Sequence, residues 1–141
     1  MGSRKREMST QIKEQKKTTA FAKLNDFPTS PRKMRLVADV VRGERVERAL
    51  NILQWNQKPT YAIYLSKLLK SAIANWGQAN TGERIEDSEL YVKTIMVDGG
   101  IVVKRLRTAP QGRGYRQRKR TNHVTIVIDS LKNKEVNTTN E

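Results

Sequence analysis

Residues 99–128 hold eight cationic side chains and no anionic one. They are Lys104, Arg105, Arg107, Arg113, Arg116, Arg118, Lys119 and Arg120. On either side lie stretches of strand character, Leu90 to Val97 and His123 to Ile128, rich in β-branched and aromatic residues. A block this polar has little to contribute to a core. If both strands run on into it, residues 98–122 form one β-hairpin arm, turning between Thr108 and Gly114, where Pro110, Gly112 and Gly114 cluster. Legs of about 12 residues at ~3.3 Å each would reach roughly 40 Å. An isolated two-stranded ribbon is marginal in water, so the arm needs a partner, and its charge requires that partner to be dense in phosphate. The predominance of arginine suits bidentate phosphate contacts, and Tyr115 adds one stacking surface.

The rest of the charge is distributed just as unevenly. The 141 residues carry 28 Lys and Arg against 14 Asp and Glu, a net charge of +14. Residues 1–23 hold seven basic and two acidic side chains, whereas residues 37–98 hold eight of each. The middle therefore reads as a neutral folded body, with cations gathered at one end and in the arm. Like charge opposes compaction, and a polyanion relieves it. With 36% hydrophobic residues, only a modest core is expected.

Within the body, Ser30-Pro31 opens a helix, Ser30 as cap and Pro31 at the first helical position. Met34, Val37, Val40 and Val41 follow at helical spacing, and Gly43 ends the helix. A second, short helix presents Val46, Ala49, Leu50 and Leu53, and Asn56 to Lys58 break it. Pro59 starts a third helix with a stripe of Tyr61, Leu65, Leu68, Leu69, Ala72, Ile73 and Trp76, terminated by a loop over Gly77 to Gly82. A weak strand is expected over Thr18 to Phe27. Grouped helices flanked by strands argue for an α+β fold. The polar tails, about 1–16 and 130–141, read as unstructured when free.

Catalysis finds no support. His123 is the only histidine, and there is no cysteine. Gln111-Gly112-Arg113-Gly114 sits in a turn and lacks the third glycine of a dinucleotide fingerprint, and no Walker loop is present. Glu83, Glu86, Asp87 and Glu89 read as a solvated surface before a strand. Neither a metal nor another cofactor is expected. No apolar run approaches the roughly 18 residues that span a bilayer, and Met1 to Gln11 lacks the apolar stretch of a secretory signal. Arg6 stands where a myristoylation motif wants Ser or Thr.

Several segments together resemble one family. Ser30 to Asp39 (Ser-Pro-Arg-Lys-Met-Arg-Leu-Val-Ala-Asp), closed by Arg42-Gly43, is similar to the first-helix motif of the L twenty-two family of large-subunit ribosomal proteins, bacterial type. Ser71-Ala72-Ile73-Ala74-Asn75 resembles the end of that family's long helix. Val97-Asp98-Gly99-Gly100, Lys104-Arg105, Gly112-Arg113 and Lys119-Arg120-Thr121-Asn122-His123-Val124-Thr125 match in order and spacing, so the likeness covers about residues 18–129. It divides the chain into a basic extension (1–17), the ribosomal protein domain with its arm (18–129) and a polar tail (130–141).

The resemblance implies three helices packed on a three-stranded antiparallel sheet, with a long protruding β-hairpin. It implies a non-enzymatic, cytoplasmic constituent of the ribosome that binds 23S ribosomal RNA during assembly and bridges its domains. The hairpin tip would line the nascent-peptide exit tunnel. Neighbouring large-subunit proteins and, near the tip, the nascent peptide would be partners, and the chain would not be a homo-oligomer. Carried over by position, Ser30, Arg32, Lys33 and Arg35 contact RNA from the first helix. The eight arm cations, with His123, contact it along the arm, and Arg107, Thr108, Ala109, Pro110, Gln111 and Gly112 form the tip. Where the family's tip carries proline, arginine and alanine, this chain has Thr108-Ala109-Pro110. Ala109 thus replaces the tip cation, which implies a wider or differently shaped constriction.

The alternative is an architectural DNA-binding protein, whose basic β-arms wrap the minor groove. Against it, no dimer-forming stripe is left over once the third helix serves the core. A membrane-surface module is weaker still, because no helix combines a cationic with an apolar face.

Overall fold

A computed structural model of the chain describes residues 3–18, 20–80 and 88–131. Its elements are α1 (Ser3–Thr18), β1 (Ala20–Phe27), α2 (Pro31–Val41), α3 (Val46–Gln54), α4 (Pro59–Ala79), β2 (Leu90–Thr108) and β3 (Gly114–Ser130), with a 3-10 turn at Pro110–Gly112. The fold is α+β around a three-stranded antiparallel sheet of order β1-β3-β2.

Four helices stand where three were expected. The addition is α1, in a stretch read as an unstructured tail. Its polarity predicted disorder, but its Arg, Lys, Glu, Gln and Met are good helix formers, and no Gly or Pro interrupts residues 3–18. The Thr10 hydroxyl donates to the Glu7 carbonyl one turn back (2.7 Å), so its polar group is satisfied within the helix. At the other end, Ser130 belongs to β3 and is buried, so the polar tail begins later than expected, and residues 132–141 lie outside the described residues.

Two helix ends differ from the sequence reading. Ser30 occupies the cap position of α2, but its side chain makes no capping bond; its carbonyl instead accepts the N–H groups of Lys33 (3.1 Å) and Met34 (3.3 Å). Gly77 lies inside α4, which runs on to Ala79 and is closed by Asn80, whose N–H donates to the Trp76 carbonyl (2.9 Å). One glycine costs about 1 kcal/mol in a helix interior, less than burial of Trp76 returns. Of the loop expected over Gly77 to Gly82, residues 81 and 82 lie outside the described residues, as do Glu83, Glu86 and Asp87. Glu89 pairs with Arg45 at 3.5 Å.

The core is the one the apolar spacing predicted, with small exchanges. Met34, Val37, Ala38 and Val41 of α2, Val46, Ala49 and Leu53 of α3, and Leu65, Leu69, Ala72 and Trp76 of α4 pack on Val92, Ile95, Val97, Val124, Ile126 and Ile128 of the sheet. Val40 faces solvent, and Ala38 takes the inner position instead. In β3 the alternation is strict: Asn122, Val124, Ile126, Ile128 and Ser130 are buried and their neighbours half-exposed.

Both sheet edges are covered where they meet the body. On β2, the carbonyls of Val92, Ile95 and Val97 accept from Gly43 N–H (2.9 Å), Arg42 Nη2 (3.1 Å) and Arg35 (Nε 3.2 Å, Nη2 2.9 Å). Gly43 adopts φ +81° just past the end of α2, a conformation suited to glycine. On β1, Asn75 Nδ2 donates to the Phe21 carbonyl at 2.9 Å. Edge groups satisfied in this way cannot recruit another strand.

Candidate nucleic-acid interface

β3 pairs on one side with β1 as far as Phe27↔Asn122 and on the other with β2 from Leu90↔Ser130 to Thr108↔Gly114. Asn122 is therefore the last row of three strands, and beyond it only β2 and β3 continue, as an outer ladder. Seven of the eight block cations lie in that ladder and the eighth, Arg113, in the turn that joins its strands, and all are exposed.

Cross-strand partners share a face, so the register sorts the cations. Val102↔Arg120, Lys104↔Arg118 and Leu106↔Arg116 continue the face that carries the buried residues of β3. Val103↔Lys119, Arg105↔Gln117 and Arg107↔Tyr115 occupy the opposite face. Positive charge thus covers both sides of the ladder, and Arg113 adds to it at the turn. A ribbon charged on both faces suits insertion between phosphate-rich segments better than lying on one surface.

At the turn the Ala109 N–H donates to the Arg113 carbonyl (2.8 Å), and Gln111 (φ 62°) and Gly112 (φ 70°) both adopt left-handed conformations. Arg107, Thr108, Ala109, Pro110, Gln111 and Gly112 are thereby brought together at the far end. Leu106 and Tyr115 stay 83% and 64% exposed, and this ladder has no core of its own.

Of the sheet's three register shifts, one lies within the body between Val92 and Thr94, and the other two lie where the ladder leaves the body. Pairing shifts between Leu24 and Phe27 on one side and between Gly99 and Val102 on the other, both beside Asn122. Asp26 adopts φ 53° and donates its N–H to His123 Nδ1 at 3.1 Å. That bond uses Nδ1 as its acceptor, and Nε2 lies 3.8 Å from Asp26 Oδ1. Asn122 is fully buried; its Nδ2 donates to the Thr29 carbonyl (2.8 Å) and Thr29 Oγ1 (2.7 Å), and its Oδ1 has no partner among the described residues. Thr121 Oγ1 donates to the Ile101 carbonyl at 3.0 Å. Thr121 to His123 belong to the segment that resembles the family, yet nothing local in the sequence gives Asn122 a role; its one signal is an uncharged amide at a position where the strand's alternation puts buried apolar residues.

From α2, Ser30 and Lys33 line a cleft with the ladder, and Arg32 is exposed. Arg35 is different: its guanidinium is tied to Val97, which makes it a strut between α2 and β2 as much as a contact residue. Arg35→Ala is expected to lower stability by about 1–2 kcal/mol through loss of a charged hydrogen bond, roughly 5–10 °C in thermal midpoint. Arg32→Ala should leave the midpoint nearly unchanged. Circular-dichroism melts of both variants check this, and equal midpoints would remove the strut role.

Among the described residues there is no group of three or more His, Cys, Asp or Glu placed to hold a metal, and no helix is long and apolar enough to cross a membrane.

The family model for ribosomal protein L22p/L17e matches residues 22–129, which take in the body, both faces of the ladder and its turn. The chain belongs to the L22p/L17e family. It is 60% identical over 133 residues to the large ribosomal subunit protein uL22 of Christiangramia forsetii, covering 94% of this chain and 98% of that one. The Flavobacterium johnsoniae protein of the same name is 58% identical over 137 residues (97% and 99% covered), and that of Bacteroides fragilis 56% over 135 residues (96% and 98%). The α1 helix precedes the family match, although alignments of this length extend into it.

Proposed function

We propose that this L22p/L17e protein is a structural, non-enzymatic constituent of the large ribosomal subunit in the cytoplasm, binding 23S ribosomal RNA. The observation that carries the proposal is the two-faced ladder and its turn, with eight cations, no anion and little apolar material of its own. Family membership supplies the setting. The body fixes position, the ladder is the protruding arm, and charge on both faces lets it bridge RNA segments during assembly. Each neutralised phosphate releases counterions, so affinity falls steeply with salt. Specificity rests on RNA shape, since side chains cannot read the deep major groove of an A-form helix.

In this proposal Ser30, Arg32, Lys33, Arg35 and His123 join the arm cations in RNA contact. The turn from Arg107 to Gly112 lines the peptide exit tunnel beside the nascent peptide, with Ala109 leaving the constriction without its cation. Neighbouring large-subunit proteins complete the set of partners.

Sucrose-gradient fractionation of lysate, at low and high salt and with and without ribonuclease, tests this. Comigration with the large subunit, lost on RNA digestion, is the expected result. Comigration with DNA would favour the architectural alternative.

A further inference from the structure

The proposal above treats the cations as a distributed charge. One group of them is instead built into a site. A cleft of about 530 Å³ lies between the start of α2 and the near end of the ladder. Thr29, Ser30 and Lys33 line it from the body, and Arg105, Arg118 and Arg120 from the ladder. Lys119 also lines it, and among the described residues no carboxylate does. Arg118 and Arg120 share the face of the ladder that continues the buried side of β3, and with Lys33 they put three cations at this concavity, while Arg105 and Lys119 line it from strand positions whose side chains belong to the opposite face. Like charges so gathered repel one another, and a bound polyanion relieves that repulsion. The volume lies in the range that encloses a small ligand, room for a short run of phosphodiester backbone.

The two walls belong to different parts of the fold, so something must hold them at a fixed separation. Asn122 occupies that place. It sits on the central strand at the row where β1 ends, pairing with Phe27 and Gly99, and its amide grips both acceptors of Thr29, a residue of the cleft wall. A fully buried amide with an unpaired oxygen costs stability relative to an apolar side chain. Its value therefore lies in geometry. Register shifts flank this same row on both sides, and irregularities of that kind are where a strand can change direction.

We infer that this cleft is a discrete phosphodiester-binding site, clamping one RNA backbone segment between body and arm, and that the Asn122–Thr29 lock, which carries no charge, sets its width. The inference rests on the RNA-binding proposal and adds that one site along the arm dominates anchoring. Asn122 is a positioning residue and touches no phosphate.

The test uses the full chain and inorganic pyrophosphate as probe, followed by amide NMR shifts, alongside binding to large-subunit ribosomal RNA. Pyrophosphate should shift Ser30, Lys33, Arg118 and Arg120 first and saturably. Thr29→Val, which removes only the hydroxyl acceptor, and Asn122→Ala should each weaken pyrophosphate about three- to tenfold with net charge unchanged. Lys70→Gln, which removes an exposed cation of α4 that does not line the cleft, should leave it within about twofold. Thr29→Val keeps the test open if Asn122→Ala fails to fold. Shifts spread evenly over the arm cations, or unchanged affinity in Thr29→Val, would overturn the site even where the chain still binds ribosomal RNA. Failure of the unaltered chain to bind that RNA would overturn the broader proposal instead.

Discussion

Replacing Arg116, Arg118, Lys119 and Arg120 together with glutamine is expected to weaken binding to large-subunit ribosomal RNA by about three orders of magnitude near 0.1 M salt. Each lysine or arginine on a phosphate contributes about 0.7–0.9 to the slope of log affinity against log salt, so four should lower it by roughly three units. All four side chains are exposed, and glutamine keeps part of each aliphatic stem, so the fold has no reason to change. The measurement is a salt series by fluorescence anisotropy, with thermal midpoint as the control for folding. An unchanged slope would mean that the outer ladder does not carry the phosphate contacts.

Gly100→Val is expected to be the most damaging single change at the exit of the ladder. A β-carbon at Gly100 overlaps Thr121 Oγ1 and comes within 3.0 Å of His123 Nε2 and 3.3 Å of the Thr121 carbonyl carbon. Thr121 could swing away only by giving up its bond to the Ile101 carbonyl, and its backbone cannot move without disturbing Asn122 beside it. Overpacking of this kind costs about 1–3 kcal/mol, a fall in thermal midpoint of roughly 5–15 °C. Gly99→Ala is the matched control, because nothing lies within 4 Å of its added carbon. Differential scanning calorimetry of the two variants should separate them clearly; similar midpoints would show that the close approach at Gly100 is relieved at no cost.

What was legible in the sequence was whatever depends on periodicity. The helical spacing of Met34, Val37 and Val41, the stripe ending at Trp76 and the alternation from Val124 to Ile128 each lead directly to an element and its buried face. The clustering of Pro110, Gly112 and Gly114 marks the turn that the structure shows. What escaped were features that depend on a partner distant in sequence. Arg35 and Arg42 look like surface cations until β2 is beside them, and then they cap its carbonyls. Asn122 and Thr29 are 93 positions apart, so no local pattern links them. The α1 helix escaped for a different reason. It presents almost no apolar stripe, and its helical propensity is spread over many residues, a weaker signal than periodicity.

The division of the sheet at Asn122 also bears on how separate copies of the chain behave in solution. Past that row β3 loses its β1 neighbour, and the ladder leaves strand edges without the cover that the body gives β2, with Ile101, Leu106 and Tyr115 exposed along them. Such a ribbon is a template for self-pairing and aggregation. Its protection is the dense positive charge, which makes two ribbons repel before their backbones can align. The repulsion reaches about 10 Å at 0.1 M salt and only about 3 Å at 1 M. High salt, the usual means of stripping a basic protein from RNA, therefore removes its guard against clumping in the same step, and concentrated free chain keeps best at low ionic strength.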